Sequence, residues 1–450
     1  MVLLHALVIY SIAASLVYLA AIAVSAIVLA LRAGGRRDRV VDHEALSASR
    51  FTMPVSLLLR ATEGVGNHSS AIAALLDLNY PELEVIVIAE AVSSAGWESL
   101  KQEWQLEARE FFYRQSLSTA PVRMMYRSGR DPRLLVADKA PGTAADAWNC
   151  GVNLARFRYV SAIDARIVFD GDALLRAMTA PMREPATIVG ATSHVEIADP
   201  EASDAKAAKG AKTATSWRFS FQRLASIRSL MESRLVWRAR RGALGPRDAL
   251  LVWRRDAILQ AGGFSTRAAD PDLDMMVRLQ TRSSTGPEQP AGPFSIAGHV
   301  VRTGEIFGHM APRPSGELLR VVARRQLAAL QALFALVRLH TTVPGMVGFF
   351  FVSEILTPFA EAWAVSGTIG AAAAGWLPWI DVGLVLLLLS LGNTSVGAAA
   401  LLLRGSVAQA ADASGLARLL LVAPFEILIT APAATYARVR GACALVRTPR

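Results

Sequence analysis

A carboxylate that ends a buried run, with a guanidinium two residues further on, is the part of this sequence best suited to binding chemistry. The run is Tyr159–Ile163, YVSAI; the acid is Asp164 and the cation is Arg166. An acid so placed can hold a metal ion, whereas an arginine binds an anionic group by a forked contact or pairs with a nearby acid. The two are rivals. At ~5 Å and an effective dielectric near 20, each unit-charge pair is worth roughly 3 kcal/mol, and about twice that against a divalent ion. If both point into one site, a divalent cation on Asp164 and the charge of Arg166 exclude each other.

The elements around this pair have distinct signatures. A Pro-Gly loop (Pro141, Gly142) opens onto Ala144–Leu154, whose small and apolar residues suit a helix packed on a sheet. After Asp164, Asp170 and Asp172 stand ahead of ALLRAM, where they are placed to satisfy free N–H groups of a second helix. Helix, buried strand, acid at the strand's C-terminal end, helix: this is the layout of a ligand site in an open α/β sheet. Upstream, PVSLLLRA (Pro54–Ala61) and LEVIVIAE (Leu83–Glu90) read as buried strands with the helical segment SSAIAALLDLNYP between them. That is a βαβ unit and implies a parallel sheet. Downstream lie a polar stretch, Glu196–Lys212, and an Arg-rich patch at Arg234, Arg238, Arg240 and Arg241, for which a solvated or membrane-facing surface is the default.

Membrane segments flank this body. Of 450 residues, 53% are hydrophobic, and the mean hydropathy is +0.35. Val2–Leu31 is almost unbroken apolar sequence, long enough to cross a hydrocarbon core about 30 Å thick, with no basic residue ahead of it as a signal peptide would have. Arg32, Arg36, Arg37 and Arg39 follow at once and put the next domain in the cytoplasm by the positive-inside rule. Glu317–His340 has the basic-plus-apolar pattern of an interfacial helix. Val343–Val365 and Trp376–Leu403 are candidate spans; Leu416–Tyr436, broken by Pro424, Glu426 and Pro432, is read as interfacial or re-entrant. The expected organisation is a transmembrane helix over 1–32, an α/β domain over 51–312 and an amphipathic interface helix over 313–340. Membrane and interfacial helices then fill 341–438, and a basic cytosolic tail 439–450. The net charge of +10 is absorbed mainly by those flanks. No zinc-finger spacing, helix-turn-helix pattern or aromatic-basic platform points to nucleic acid. Cys150 and Cys443, far apart and without a C-x-x-C context, support neither a disulfide framework nor a metal site.

The whole resembles the membrane-bound family-2 glycosyltransferases, of the cellulose-synthase-like and poly-N-acetylglucosamine-synthase-like branch. Gly142-Thr143-Ala144-Ala145-Asp146-Ala147-Trp148-Asn149 stands where that family has a Gly-Gly-Lys-x-x-Ala-Leu-Asn-like stretch, and Asp164-Ala165-Arg166 where it has Asp-x-Asp. Arg60-Ala61-Thr62-Glu63 and Ala89-Glu90-Ala91-Val92 occupy its two early motifs, the second of which carries the acid that grips the uracil end of a UDP-sugar. ALLVWRRDAILQAGGFS (Ala249–Ser265) matches its strand, Arg-Arg-Asp helix and Gly-Gly-Phe turn. In ADPDLDMMVRLQ, Asp272 aligns with the general base that deprotonates the acceptor, Pro271 replacing the Glu before it; helix N-capping by Asp270 and Asp272 is the structural alternative. Arg325-Gln326-Leu327-Ala328-Ala329 stands at the Gln-x-x-Arg-Trp register without the Arg-Trp pair.

The resemblance implies an α/β GT-A, Rossmann-like cytosolic domain with N- and C-terminal transmembrane helices, in a multi-pass protein of the inner (plasma) membrane. It implies Asp272 as catalytic base and Glu63, Glu90, Asp146, Asn149, Asp164 and Arg166 as donor-site residues. The expected ligand is a nucleotide-sugar such as a UDP-sugar, with membrane lipid and polysaccharide-synthase subunits as partners. A divalent metal (Mg or Mn) is disfavoured by Arg166, and Asp164 is its one candidate ligand. The departures gather on one ligand site, so the expected function is a catalytically reduced glycosyltransferase; the alternative is a pseudo-glycosyltransferase partner or scaffold subunit of an exopolysaccharide assembly. Three fates stay open for Arg166: a fork onto the diphosphate, a pair with Asp164 or Asp272 that closes the site, or exposure to solvent.

Overall fold

The computed structural model describes residue 16 and residues 52–62, 68–197, 219–227, 250–284, 299–338, 356–387, 390–391, 394–395, 419 and 421–447. They belong to two compact units, residues 39–196 with 241–311, and residues 1–38, 197–240 and 312–450.

The first unit is built on a mixed sheet. Its strands are β1 (Val55–Thr62), β2 (Leu83–Glu90), β3 (Leu106–Arg109), β4 (Val122–Ser128), β5 (Leu134–Lys139), β6 (Tyr159–Ile163), β7 (Ile167–Phe169), β8 (Ile188–Ile197), β9 (Leu251–Arg254) and β10 (His299–Met310). They lie in the order β3-β4-β5-β2-β1-β6-β9-β8-β10-β7. The central four, β5-β2-β1-β6, are parallel, as the βαβ pattern predicts. β4 joins them antiparallel on one side and β9 on the other. From β1 the chain crosses to β2, while β6 lies on β1's other flank. The strand order therefore reverses between β1 and β6, the place where an open α/β sheet forms its crevice.

Alternation along the strands assigns the two faces. Leu57, Leu59, Val85, Val87 and Val252 pack with Ile72, Leu174, Leu175 and Met178 into one core layer. Leu58, Arg60, Ile86, Ile88, Glu90, Val160 and Trp253 share the opposite face. The Ala144–Leu154 helix lies on this second face and approaches it closely at Gly151, where a Cβ would stand 2.8 Å from Leu58.

The strands expected at Leu83–Glu90 and Tyr159–Ile163 and the helix at Ala144–Leu154 form with those bounds. The capping role expected of Asp172 does not form. Asp172 is at the N-cap of the Ala173–Arg183 helix but makes no side-chain cap bond. Arg176 draws the carboxylates of Asp170 (2.6 Å) and Asp172 (3.2 Å) to itself, and a salt-bridged carboxylate is not free to turn onto backbone N–H groups.

In the second unit, the helix Ser315–Arg338 packs on the helix Ala431–Arg447; a Cβ at Gly441 would collide with the backbone of Ala323. The boundary expected at 438 falls inside this second helix, because its close packing carries the helix through Arg438 and Arg440. The segment Leu416–Tyr436, expected as interfacial or re-entrant, is broken into a 3-10 turn at Ala423–Phe425 and a short helix at Glu426–Ile429. Among the described residues no helix is long and apolar enough to cross a membrane. The expected helix over 1–32, except Leu16, and residues 343–355 of the next candidate span lie outside the described residues.

Candidate functional site

Four charged side chains converge at the C-terminal ends of β1, β2 and β5. Lys139, at the last position of β5, is wholly buried and directs its ammonium at Glu90 Oε1 (2.5 Å) and at Asp146. It also donates to the Ala140 carbonyl at 2.9 Å. Arg60 donates from Nε to Glu90 Oε2 at 2.7 Å and from Nη2 to the Gly142 carbonyl at 3.0 Å. Asp146 Oδ1 accepts from the Ala120 N–H (3.0 Å), and Thr143 caps the helix that carries Asp146. Two cations and two anions make this network neutral. Burial works against the Lys139 charge, but the bonds from Asp146 and Glu90 outweigh it and hold the ammonium above the usual lysine value.

The Pro-Gly loop has a steric reason to place glycine after its proline. A Cβ on Gly142 would overlap the Asp146 carboxylate and come within 3.1 Å of Lys139 Nζ.

Beyond β1, Asp164 follows β6 directly. Arg166 forks onto it, Nε to Oδ1 at 3.0 Å and Nη2 to Oδ2 at 2.7 Å, and the Arg166 backbone N–H adds a bond to Oδ1 at 3.0 Å. Of the three fates open to Arg166, the structure takes the pair with Asp164. Both oxygens of the one candidate metal ligand are engaged by a cation, so these residues do not fit a divalent ion. Among the described residues no group of three or more His, Cys, Asp or Glu could hold one.

Asp272 sits at the start of the helix Pro271–Ser284. Capping there belongs to Asp270, whose Oδ1 accepts from the Leu273 N–H at 3.0 Å. Asp272 instead accepts from the Trp253 indole at 3.4 Å. Burial pushes its carboxyl up to about 7, the Asp270 charge adds to the rise, and the indole bond opposes it. A carboxyl so tuned exchanges a proton near neutral pH, as a general base must.

Asn149 holds the turn that precedes the helix carrying Asp272. Its amide accepts from the Phe264 N–H (2.7 Å) and donates to the Phe264 carbonyl (2.9 Å). Gly262 and Gly263 adopt φ of 82° and 80°, and a Cβ on Gly263 would stand 2.7 Å from Asn149 Oδ1. The structure thus uses Asn149, expected at the donor site, to latch the Gly-Gly-Phe turn. It brings Glu90 and Asp146 together, and it brings Asp164 and Arg166 together. Glu63 lies outside the described residues. Lys139 is the residue that reading the sequence missed. Its signal was a lysine closing an otherwise buried strand, LLVADK, where a charge needs buried partners.

No protein-family model matches this chain, and no curated protein sequence does. Solved structures do match. A mannosyltransferase from Pyrobaculum calidifontis, in complex with GDP-Man and Mn2+, is 16% identical with a TM-score of 0.52, covering 95% of this chain and 99% of that one. S. aureus TarS 1-349 (10% identity, TM-score 0.37, 84% and 92% covered) also matches. So does glucosyl-3-phosphoglycerate synthase from Mycobacterium tuberculosis (16%, 0.34, 67% and 84%). At those TM-scores the latter two add nothing to the first. The chain is similar in its mixed α/β fold to a GT-A glycosyltransferase of known structure, and the fold is what that likeness establishes.

Proposed function

We propose that this protein is a membrane-bound, nucleotide-sugar-dependent glycosyltransferase of reduced catalytic power. One observation carries the reading: Arg60, Glu90, Lys139 and Trp253 project from a single face of the sheet, at or near the switch-point crevice, and Trp253 holds a carboxyl tuned to about 7. In the proposed reaction Asp272 takes the proton of an acceptor hydroxyl. The acceptor oxygen bonds to the anomeric carbon, and the carbon–oxygen bond to the diphosphate breaks, its electron pair leaving with the nucleotide. In this reaction Arg166 exchanges its fork on Asp164 for the departing diphosphate and neutralises it by charge-assisted hydrogen bonds. The nucleoside lies across the ends of β1, β2 and β5. A guanidinium supplies less charge than a divalent ion, which is the reason for reduced power.

Membrane attachment rests on the second unit. Trp363, Trp376, Trp379, Ile380, Leu384 and Leu387 are all more than half exposed; Trp376 lies in the turn between Gly375 and Pro378, and Trp379 directly follows it. So much outward apolar surface fits hydrocarbon, with the tryptophans at the water boundary. The basic run after residue 31 supports a cytoplasmic α/β unit in the inner (plasma) membrane, and a growing polysaccharide is the proposed acceptor.

The test is nucleoside diphosphate release from UDP- and GDP-sugars by the full chain in lipid nanodiscs, with Mn2+ and with EDTA. Slow release that survives EDTA and vanishes in Asp272→Asn is expected. No release beside tight nucleotide binding would favour the second reading, a pseudo-glycosyltransferase subunit, for which the closed Asp164–Arg166 pair is the supporting observation.

A further inference from the structure

The nucleotide reading places a base over the ends of β2 and β5, and Glu90 is the acid expected there. The geometry rules Glu90 out as the contact. It is 1% exposed, with one oxygen on Arg60 and the other on Lys139. Lys139 is equally enclosed, and the Asp146 side chain is 12% exposed. Arg60 is the cluster's outlet to the crevice, with 29% of its side chain exposed.

Its guanidinium is held at two points, Glu90 Oε2 and the Gly142 carbonyl, which engage two of five N–H groups. The remaining three lie at the Nη end, in the fixed plane of the fork. An acid at this place would select a base by its N–H groups. A clamped guanidinium selects by lone pairs, and it matches best an edge with two acceptors, such as O6 and N7 of guanine. A single carbonyl, as on uracil, satisfies it in part. Adenine offers N7 beside an amino group, which sets a donor against a donor.

We infer that Arg60 is the specificity-determining residue of the nucleotide site, reading an oxo-bearing base through its N–H groups, with Glu90, Lys139 and Asp146 as positioning residues that clamp it. This rests on the nucleotide-sugar reading, and it changes the expected order of donors: guanine first, uracil second, adenine last.

Binding of GDP, UDP and ADP to the full chain in detergent, by calorimetry in EDTA, tests it. GDP should exceed ADP by about tenfold or more, the usual size of one charged hydrogen bond gained and one donor clash avoided. Arg60→Gln should collapse the GDP/ADP ratio towards one, and Arg60→Lys should keep part of it. Glu90→Gln, which leaves Arg60 in place but loosens its clamp, should lower the ratio too, an effect that a purely structural role would not produce. Equal binding of ADP and GDP by the wild type, or an undiminished ratio in Arg60→Gln, overturns the inference and leaves the transferase reading standing. No binding of any nucleotide overturns both. Should Arg60→Gln fail to fold, the wild-type order and Arg60→Lys still decide.

Discussion

Replacing Asp272 by Asn should make the protein more stable and less active at the same time. The Asp272 carboxyl rises from 3.8 to about 7, through burial first and the Asp270 charge second. At ~1.4 kcal/mol per unit, that shift is worth roughly 4 kcal/mol of stability. The sign follows from which state binds the proton. Below the unfolded value both states are neutral and nothing is lost. As pH climbs towards 7 the unfolded chain ionises while the folded one keeps its proton, so stability falls; above 7 the loss is complete. Asn is nearly isosteric, accepts the same indole hydrogen bond and carries no charge. The stability gap between variant and wild type should therefore widen by ~1.4 kcal/mol per pH unit up to neutrality, then level off, gaining about 2–3 kcal/mol between pH 5 and pH 8. Urea unfolding of the detergent-purified chain, followed by tryptophan fluorescence at each unit of pH, measures it. Turnover in the same preparation should drop by about 10²–10⁴. A gap that stays constant with pH, or an Asn variant less stable at pH 8, would refute the account of a desolvated base.

Lys139→Met leaves Glu90 and Asp146 facing each other without their buried cation, and should cost about 3–5 kcal/mol in the urea midpoint; a loss under 1 kcal/mol would show that the network is not what holds those strand ends. Trp253→Phe removes the one interaction that lowers the Asp272 carboxyl, so the rising limb of the pH–rate profile should move to higher pH rather than disappear. Gly263→Ala forces a side chain into a φ of 80° and against Asn149, and should cost at least ~1 kcal/mol in thermal unfolding while also raising KM, since the turn positions the helix carrying Asp272.

Much of the fold could be read from the chain because strand and helix periodicity are local. LEVIVIAE and YVSAI are short, apolar runs rich in β-branched or aromatic residues between turn signals, which favours buried strands over helix, and both form where the pattern ends. The Gly-Gly-Phe turn was equally plain, since two adjacent glycines supply the positive φ that other residues resist. The partners of each charge could not be read in this way. Asp170, Asp172 and Arg176 look like two caps and a bystander in sequence, yet the arginine takes both acids.

What the sequence by itself determined is therefore the frame: a parallel core, an acid at the end of β6, a helix opening at Asp270, and an arginine two residues after the β6 acid. What the tertiary structure alone decided is which charges meet. Lys139 and Glu90 are 49 residues apart, and Asp272 and Trp253 are 19 apart. The energy of a charge depends on the distance to its nearest opposite and on the water between them, and neither is written along the chain.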